Sequence, residues 1–290
     1  MQKVKKAIIP VAGYGTRFLP FTKALPKTML PVINVPAIQH VIQEAVDSGI
    51  EEIYLIVGKH ANIISEHFSP ANELEGVLKA RGNLKSLEIV QKPQNLAKIT
   101  YIVQEEQKGT GHAVMLAEKY IKNEPFAVLF GDDLMCADTP VLKQLISVYE
   151  KNQKTVIGVK HVGYENVSKY ASCEYNSEDK GIYNLTSIIE KPAPGSAKSD
   201  LAPLGRYVLR ANFFENIKNI KPGYNGEYQL TDALGLEIKK DGLLAYAFEG
   251  ERYDMGDVFG FLQANVEFSL KDDELKDKMK KYLEDLVKKF

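Results

Sequence analysis

The chain has 290 residues, 44% hydrophobic and 26% charged, with a formal net charge of −1. That composition suits a globular α/β protein, gives no electrostatic footprint for nucleic acid, and holds no apolar run long enough for a membrane span. The two cysteines, Cys136 and Cys173, lack CxxC spacing and read as free thiols of a reducing, cytoplasmic compartment.

In chain order, residues 4–11 read as a buried first strand. The positive start before it leads into too short an apolar stretch for a signal peptide. The strand runs into Gly13-Tyr14-Gly15-Thr16-Arg17, with Pro26-Lys27 ten residues on. Glycines there let backbone N–H groups approach an anion, and Arg17 and Lys27 balance its charge. This is not a dinucleotide fingerprint, because Phe18 stands where the third glycine belongs, and it is not a P-loop either. A plain glycine turn after a core strand is the competing reading.

A helix is predicted from about Pro36 to Ser48, stopped by Gly49, and a second strand at Ile53–Gly58. Residues 60–95 read as helix and loop, Ile99–Val103 as a third strand, and Lys108–Ala113 as the opening of a helix to about Ile121. A fourth strand at Phe126–Phe130 ends at Gly131-Asp132-Asp133. The second half has β-rich stretches near 155–160, 182–190 and 203–210, and a loop at Lys191–Ser196. Leu275, Met279, Leu283 and Leu286 make residues 270–290 an amphipathic helix, packed on its own domain or on another subunit. The pattern predicts a Rossmann-like α/β fold: a mixed, mostly parallel sheet flanked by helices, with a β-rich second lobe. Residues 1–269 read as one domain, with a first part at about 1–135 that carries the glycine-rich loop and a second part at about 155–257 that carries Glu190-Lys191.

Ligands of open α/β sheets bind at the carboxyl ends of the strands, where Asp132 and Asp133 stand. Hard carboxylate oxygens there suit Mg²⁺ beside phosphates, and Asp254 in Tyr253-Asp254-Met255-Gly256-Asp257 closes the site from the other side. Asp254 is alternatively a turn or N-cap aspartate before a helix beginning near Val258. Glu190-Lys191 pairs a carboxylate for sugar hydroxyls with a cation for a phosphate, or is an exposed ion pair before a turn. Gln104, with Gly109, can read a base edge. His112 reads as structural, and the five histidines show no zinc spacing. With no Ser-His-Asp or Cys-His grouping, the set fits direct phosphoryl or nucleotidyl transfer by positioning and charge neutralisation.

The stretch Pro10–Pro20, followed by Lys23–Pro31, resembles the bacterial UTP–glucose-1-phosphate uridylyltransferases. The resemblance continues through Gln104, Lys108–Ala113, Glu190–Pro192, Gly205–Leu209, Gly226–Ala233 and Tyr253–Gly256, nearly the whole chain. It implies that Ala12, Gly13 and Gly15 bind the nucleotide, Arg17 steadies the leaving pyrophosphate and Lys27 the α-phosphate. It also implies that Gln104 and Gly109 read uracil, Asp132 and Asp254 hold Mg²⁺, Glu190 binds glucose hydroxyls, Lys191 the sugar phosphate, and Gly205 lines the sugar pocket. The implied substrates are UTP and glucose 1-phosphate, the product UDP-glucose, and the assembly a homo-oligomer. Related enzymes often carry one aspartate after the fourth strand; motif alignment puts the metal on Asp132, with Asp133 in reserve. Ala171 stands where a glycine often lines the sugar site. A dTTP-dependent glucose-1-phosphate thymidylyltransferase and a non-catalytic nucleotide-sugar sensor are the competing functions.

Overall fold

The computed structural model describes residues 2–290. Its first half runs β1 (Lys6–Pro10), β2 (Pro31–Val32), β3 (Val35–Pro36), α1 (Ala37–Asp47), β4 (Glu52–Val57), α2 (Ala61–His67), α3 (Asn72–Ala80), α4 (Leu84–Gln91), β5 (Lys98–Val103), α5 (Thr110–Met115), α6 (Glu118–Ile121), β6 (Phe126–Leu129), β7 (Asp133–Cys136) and α7 (Val141–Asn152). Then follow β8 (Val156–His161), β9 (Ala171–Asp179), β10 (Ile182–Glu190), β11 (Leu201–Leu209), α8 (Phe214–Asn219), α9 (Leu230–Asp241), β12 (Leu244–Ala247), β13 (Glu251–Asp254), α10 (Val258–Ser269) and α11 (Lys276–Val287).

Nine strands make one sheet in the order β5-β4-β1-β6-β11-β8-β12-β10-β9. Traced through their pairings, β10 and β11 run against the other seven, so the sheet is mixed and mostly parallel as the alternation predicts. The alternation of side chains along β1 divides the core. Ala7 and Ile9 pack with Ile38, Val41 and Ile42 of α1 and Leu142 and Leu145 of α7. Ile8 points the other way, to Val114 of α5, Ile121 of α6, Ile217 of α8 and Ala233 of α9. Ile8 and Ile9 are fully buried, each contributing about 1.5–3 kcal/mol over exposure. Helices on both faces leave the strand ends as the open rim where loops can hold a ligand.

Several elements depart from the sequence reading. The helix opened at Thr110 breaks after Met115 and resumes as α6, which closes on Lys122 in the left-handed region at φ +55°. β9 was unpredicted: beyond Ala171–Cys173 its side chains are mostly exposed, so a half-solvated edge strand hid behind a polar run. β7 follows directly on Asp132, too short to register as a periodic pattern, and pairs antiparallel with β13. The C-terminal segment is not one helix from residue 270; α10 ends at Ser269, a turn through Asp272 intervenes, and α11 starts at Lys276. No helix among the described residues is long and apolar enough to cross a membrane.

Candidate active site

A cavity of about 560 Å³ opens at the strand rim, and all twelve predicted site residues line it. That volume suits a ligand larger than a single phosphate. Its near wall is the loop after β1. Gly15 adopts the left-handed region at φ +63°, and a Cβ there would lie 3.0 Å from both Lys27 Cβ and Thr22 Cγ2. The glycine therefore lets the loop lie against the Lys27 stem, and the Thr22 hydroxyl pins it by donating to the Gly15 carbonyl at 2.9 Å. Gly13 meets nothing within 4 Å of its missing Cβ, so its backbone faces open space. Arg17 Nη1 donates to the Gly256 carbonyl at 3.2 Å, bringing the loop's cation to the carboxylate end of the cavity.

The β7–β13 ladder builds that end. Its register sets Asp254 opposite Asp133, which brings Asp132 and Asp254 together across more than a hundred residues of chain. The Cβ that Gly256 lacks would sit 3.1 Å from Asp132 Oδ2 and 2.9 Å from Asp254 Oδ1. Two hard oxygen donors thus converge on a small space that exists because residue 256 is glycine. This fits a divalent cation that takes one or two carboxylates and completes its shell with phosphate and water. Lys27 Nζ pairs with Asp132 Oδ2 and lies 3.6 Å from the same point. Burial alone would raise the Asp132 carboxyl, but the adjacent Lys27 ammonium outweighs it and holds it below the ordinary carboxylate range.

The doubled aspartate divides its labour. Asp133 is not a second residue of the same kind as Asp132: its Oδ1 accepts from Arg252 Nε at 2.6 Å, and its Oδ2 faces Gly205. A Cβ on Gly205 would lie 2.0 Å from that oxygen, and Gly205 holds φ +68°, so close approach and backbone conformation both demand glycine. Asp254 is not a helix N-cap. Asp257 caps α10, accepting from Phe259 and Gly260 N–H at 3.0 and 3.1 Å, while Asp254 Oδ1 accepts from Gly256 N–H at 2.9 Å.

At the other end of the near wall, Gln104 is buried, and its Nε2 lies 3.0 Å from His112 Nδ1. Burial, and then Lys108, lower the His112 pKa below 6.5, so a neutral ring accepts the amide proton and leaves Gln104 Oε1 free for a ligand donor. Gly109 has φ +104° and packs so closely that a Cβ would lie 2.6 Å from the Tyr228 carbonyl. Gly111 and Tyr228 N–H groups, each donating at 2.8 Å, tie that turn to the Glu227–Thr231 segment. Thr231 Oγ1 then donates to Glu190 Oε2 at 2.7 Å. Lys191 follows in the left-handed region at φ +40°, its Nζ 3.8 Å from Glu190 Oε1 and 5.0 Å from the centre of the Tyr224 ring.

Sequence reasoning missed Asp133's partner Arg252, and also Tyr170, Tyr207 and Thr231, all of which line the cavity. Arg252 was within reach: it stands two residues before Asp254 in one strand, hence on the same face. Thr231 stands inside the Gly226–Ala233 motif without being singled out there, and Tyr170 reaches the cavity only through the fold.

A family model for nucleotidyl transferases matches residues 6–270. The UTP–glucose-1-phosphate uridylyltransferase of Bacillus subtilis is 46% identical over 289 residues, covering 100% of this chain and 99% of that protein. The UTP–glucose-1-phosphate uridylyltransferase 1 of Staphylococcus saprophyticus is 44% identical over 286 residues, 99% of this chain and 100% of its own length. A crystal structure of UDP-glucose pyrophosphorylase complexed with UDP-glucose superposes with a TM-score of 0.84 at 38% identity, covering 93% of this chain and 100% of that one. The UTP-bound enzyme of Acinetobacter baumannii gives a TM-score of 0.87 at 33% identity, over 97% of this chain and 98% of that one. Family match, full-length relatives and shared fold agree: the chain belongs to the nucleotidyl transferase family.

Proposed function

We propose that the chain makes UDP-glucose and pyrophosphate from UTP and α-D-glucose 1-phosphate. The observation that carries this reading is that one cavity is lined by Gln104 and Gly109, by the glycine loop with Lys27, by Asp132 and Asp254, and by Glu190 and Lys191. The uridylyltransferases that match it over their whole length support the same choice of substrates.

In this reading the free Gln104 oxygen accepts from uracil N3–H. Backbone at Ala12, Gly13 and Gly15 contacts the nucleotide, and Lys27 turns from Asp132 to the α-phosphate. Asp132 and Asp254 would hold Mg²⁺, which when bound neutralises phosphate charge and assists departure of pyrophosphate. Glu190 takes glucose hydroxyls, Lys191 the sugar phosphate, and Gly205 keeps the floor between them open. A phosphate oxygen of glucose 1-phosphate is already an anion, so it attacks the α-phosphorus in line without a general base. The P–O bond to the β-phosphate breaks, and Arg17 steadies the leaving pyrophosphate. A homo-oligomeric, cytoplasmic enzyme is the setting this reading expects, and light scattering on the purified chain checks the assembly.

The test is ³¹P NMR of the chain with Mg²⁺, glucose 1-phosphate and each of UTP, dTTP, ATP, CTP and GTP in turn. UDP-glucose formed with strong preference for UTP is the expected result. Preference for dTTP would move the chain to thymidylyl transfer, and silence with retained UDP-glucose binding would make it a sensor.

A further inference from the structure

Arg252 lies between two groups to which the proposed reaction gives different tasks, Asp254 and Lys191. Its Nε donates to Asp133 Oδ1 at 2.6 Å, and Nη2 pairs with that carboxylate while lying 3.3 Å from Asp254 Oδ2. Nη1 donates to the Tyr170 hydroxyl at 3.0 Å, with the guanidinium carbon 5.2 Å from the centre of that ring. The Tyr170 carbonyl in turn accepts from Lys191 N–H at 2.9 Å, at the point where Lys191 leaves β10. The anchor beneath is rigid. Asp133 is wedged against Gly205, and its carbonyl accepts from Arg206 Nη2 at 2.8 Å, Arg206 itself being fully buried and paired with Glu44.

We infer that Arg252 is a positioning residue: it fixes the orientation of Asp254 and, through Tyr170, ties it to the backbone that carries Lys191. Asp254 accepts from Gly256 N–H with one oxygen and is ion-paired with Arg252 through the other, so both oxygens are held by neighbours while each keeps acceptor capacity for a cation. Only the planar guanidinium fork reaches Asp133, Asp254 and Tyr170 at once; an ammonium on a flexible stem does not. The cation site and the sugar-phosphate site are thereby held in one frame, and the doubled aspartate has its reason, Asp132 facing the cation and Asp133 holding the arginine.

The inference rests on the uridylyltransferase reading, and Tyr170→Phe with Arg252→Lys tests it. Steady-state constants for both substrates, Mn²⁺ affinity in the presence of UTP by electron paramagnetic resonance, and Tm are measured for each. Tyr170→Phe keeps the ring and deletes the link, so KM for glucose 1-phosphate rises about 2- to 10-fold, the worth of one hydrogen bond, with KM for UTP and Mn²⁺ affinity unchanged. Arg252→Lys frees Asp254 and weakens Mn²⁺ binding about 10- to 100-fold, the scale of a lost outer-shell partner. Wild-type values within twofold in both variants would overturn the inference. So would equal losses for both substrates that merely follow Tm. An inactive wild type would instead overturn the functional reading, and if Arg252→Lys does not fold, the Tyr170→Phe result decides alone.

Discussion

The two ends of the cavity are built on opposite plans. At the nucleotide end the charges already have protein partners: Lys27 on Asp132, and Arg252 between Asp133 and Asp254. Of these the Arg252–Asp133 pair is secluded, with the Asp133 and Arg252 side chains only 6% and 13% exposed. At the sugar end Lys191 is 40% exposed, 3.8 Å from Glu190, and rests over Tyr224 from a left-handed backbone. The first arrangement means that ligand phosphates and a cation exchange partners with groups already in position, a small reorganisation. On the proposed function, the second means that Lys191 gains its principal partner only when the sugar phosphate arrives. Changes at the first end should therefore appear in rate, and changes at the second in substrate affinity.

The sharpest break in that contrast is Asp132→Ala, which deletes a proposed cation ligand and leaves Lys27 without its partner; kcat should fall by at least about 100-fold in a pyrophosphate-release assay. Gly205→Ala comes next. Its Cβ would clash with Asp133 at φ +68°, so the wedge behind Arg252 must move, with a loss of about 2–4 kcal/mol of stability in denaturant unfolding. Lys191→Ala should raise KM for glucose 1-phosphate about 10-fold or more while KM for UTP stays near wild type, because one charge-assisted contact is worth about 1.5–3 kcal/mol. Unchanged kinetics with glucose 1-phosphate would remove its assigned role.

The smallest effect is one of pH. His112 has a lowered pKa, so its neutral form prevails above 6.5 and protonation begins only below that value. Protonation turns Nδ1 from acceptor to donor and breaks its bond with Gln104. KM for UTP should then rise as pH falls through the lowered pKa, and this acid limb should vanish in His112→Ala. The sign for stability is the same: a depressed pKa favours the folded state at higher pH, and that contribution is lost on acidification.

Local chemistry was legible where local pattern decides it. The run Ala7–Ala12 and its glycine turn, the helix stopped by Gly49, and the aspartate after β6 are each fixed by residues within a few positions. Asp132 and Asp254 were identified as one site by motif, but the means of bringing them together was not. The β7–β13 ladder is four residues a side and joins distant segments, and no window of sequence holds both halves. β9 escaped because an edge strand with Asn176, Ser177 and Glu178 in water lacks apolar alternation. Motif alignment keeps Asp133 in reserve as a metal residue, and its pairing with Arg252 was not legible for a related reason. Adjacent aspartates look equivalent on paper, yet pleating sends them to different neighbours, one to Lys27 and the other to Arg252.

The account turns on Asp132 and Asp254 forming one cation site that the nucleotide completes. Electron paramagnetic resonance titration of Mn²⁺ into the wild type, Asp132→Asn and Asp254→Asn, each with and without UTP, measures this directly. The account predicts weak binding to the free wild type, where Lys27 holds Asp132, tight binding once UTP is present, and loss of that gain in both variants. Equal Mn²⁺ affinity in the variants and the wild type with UTP would contradict it.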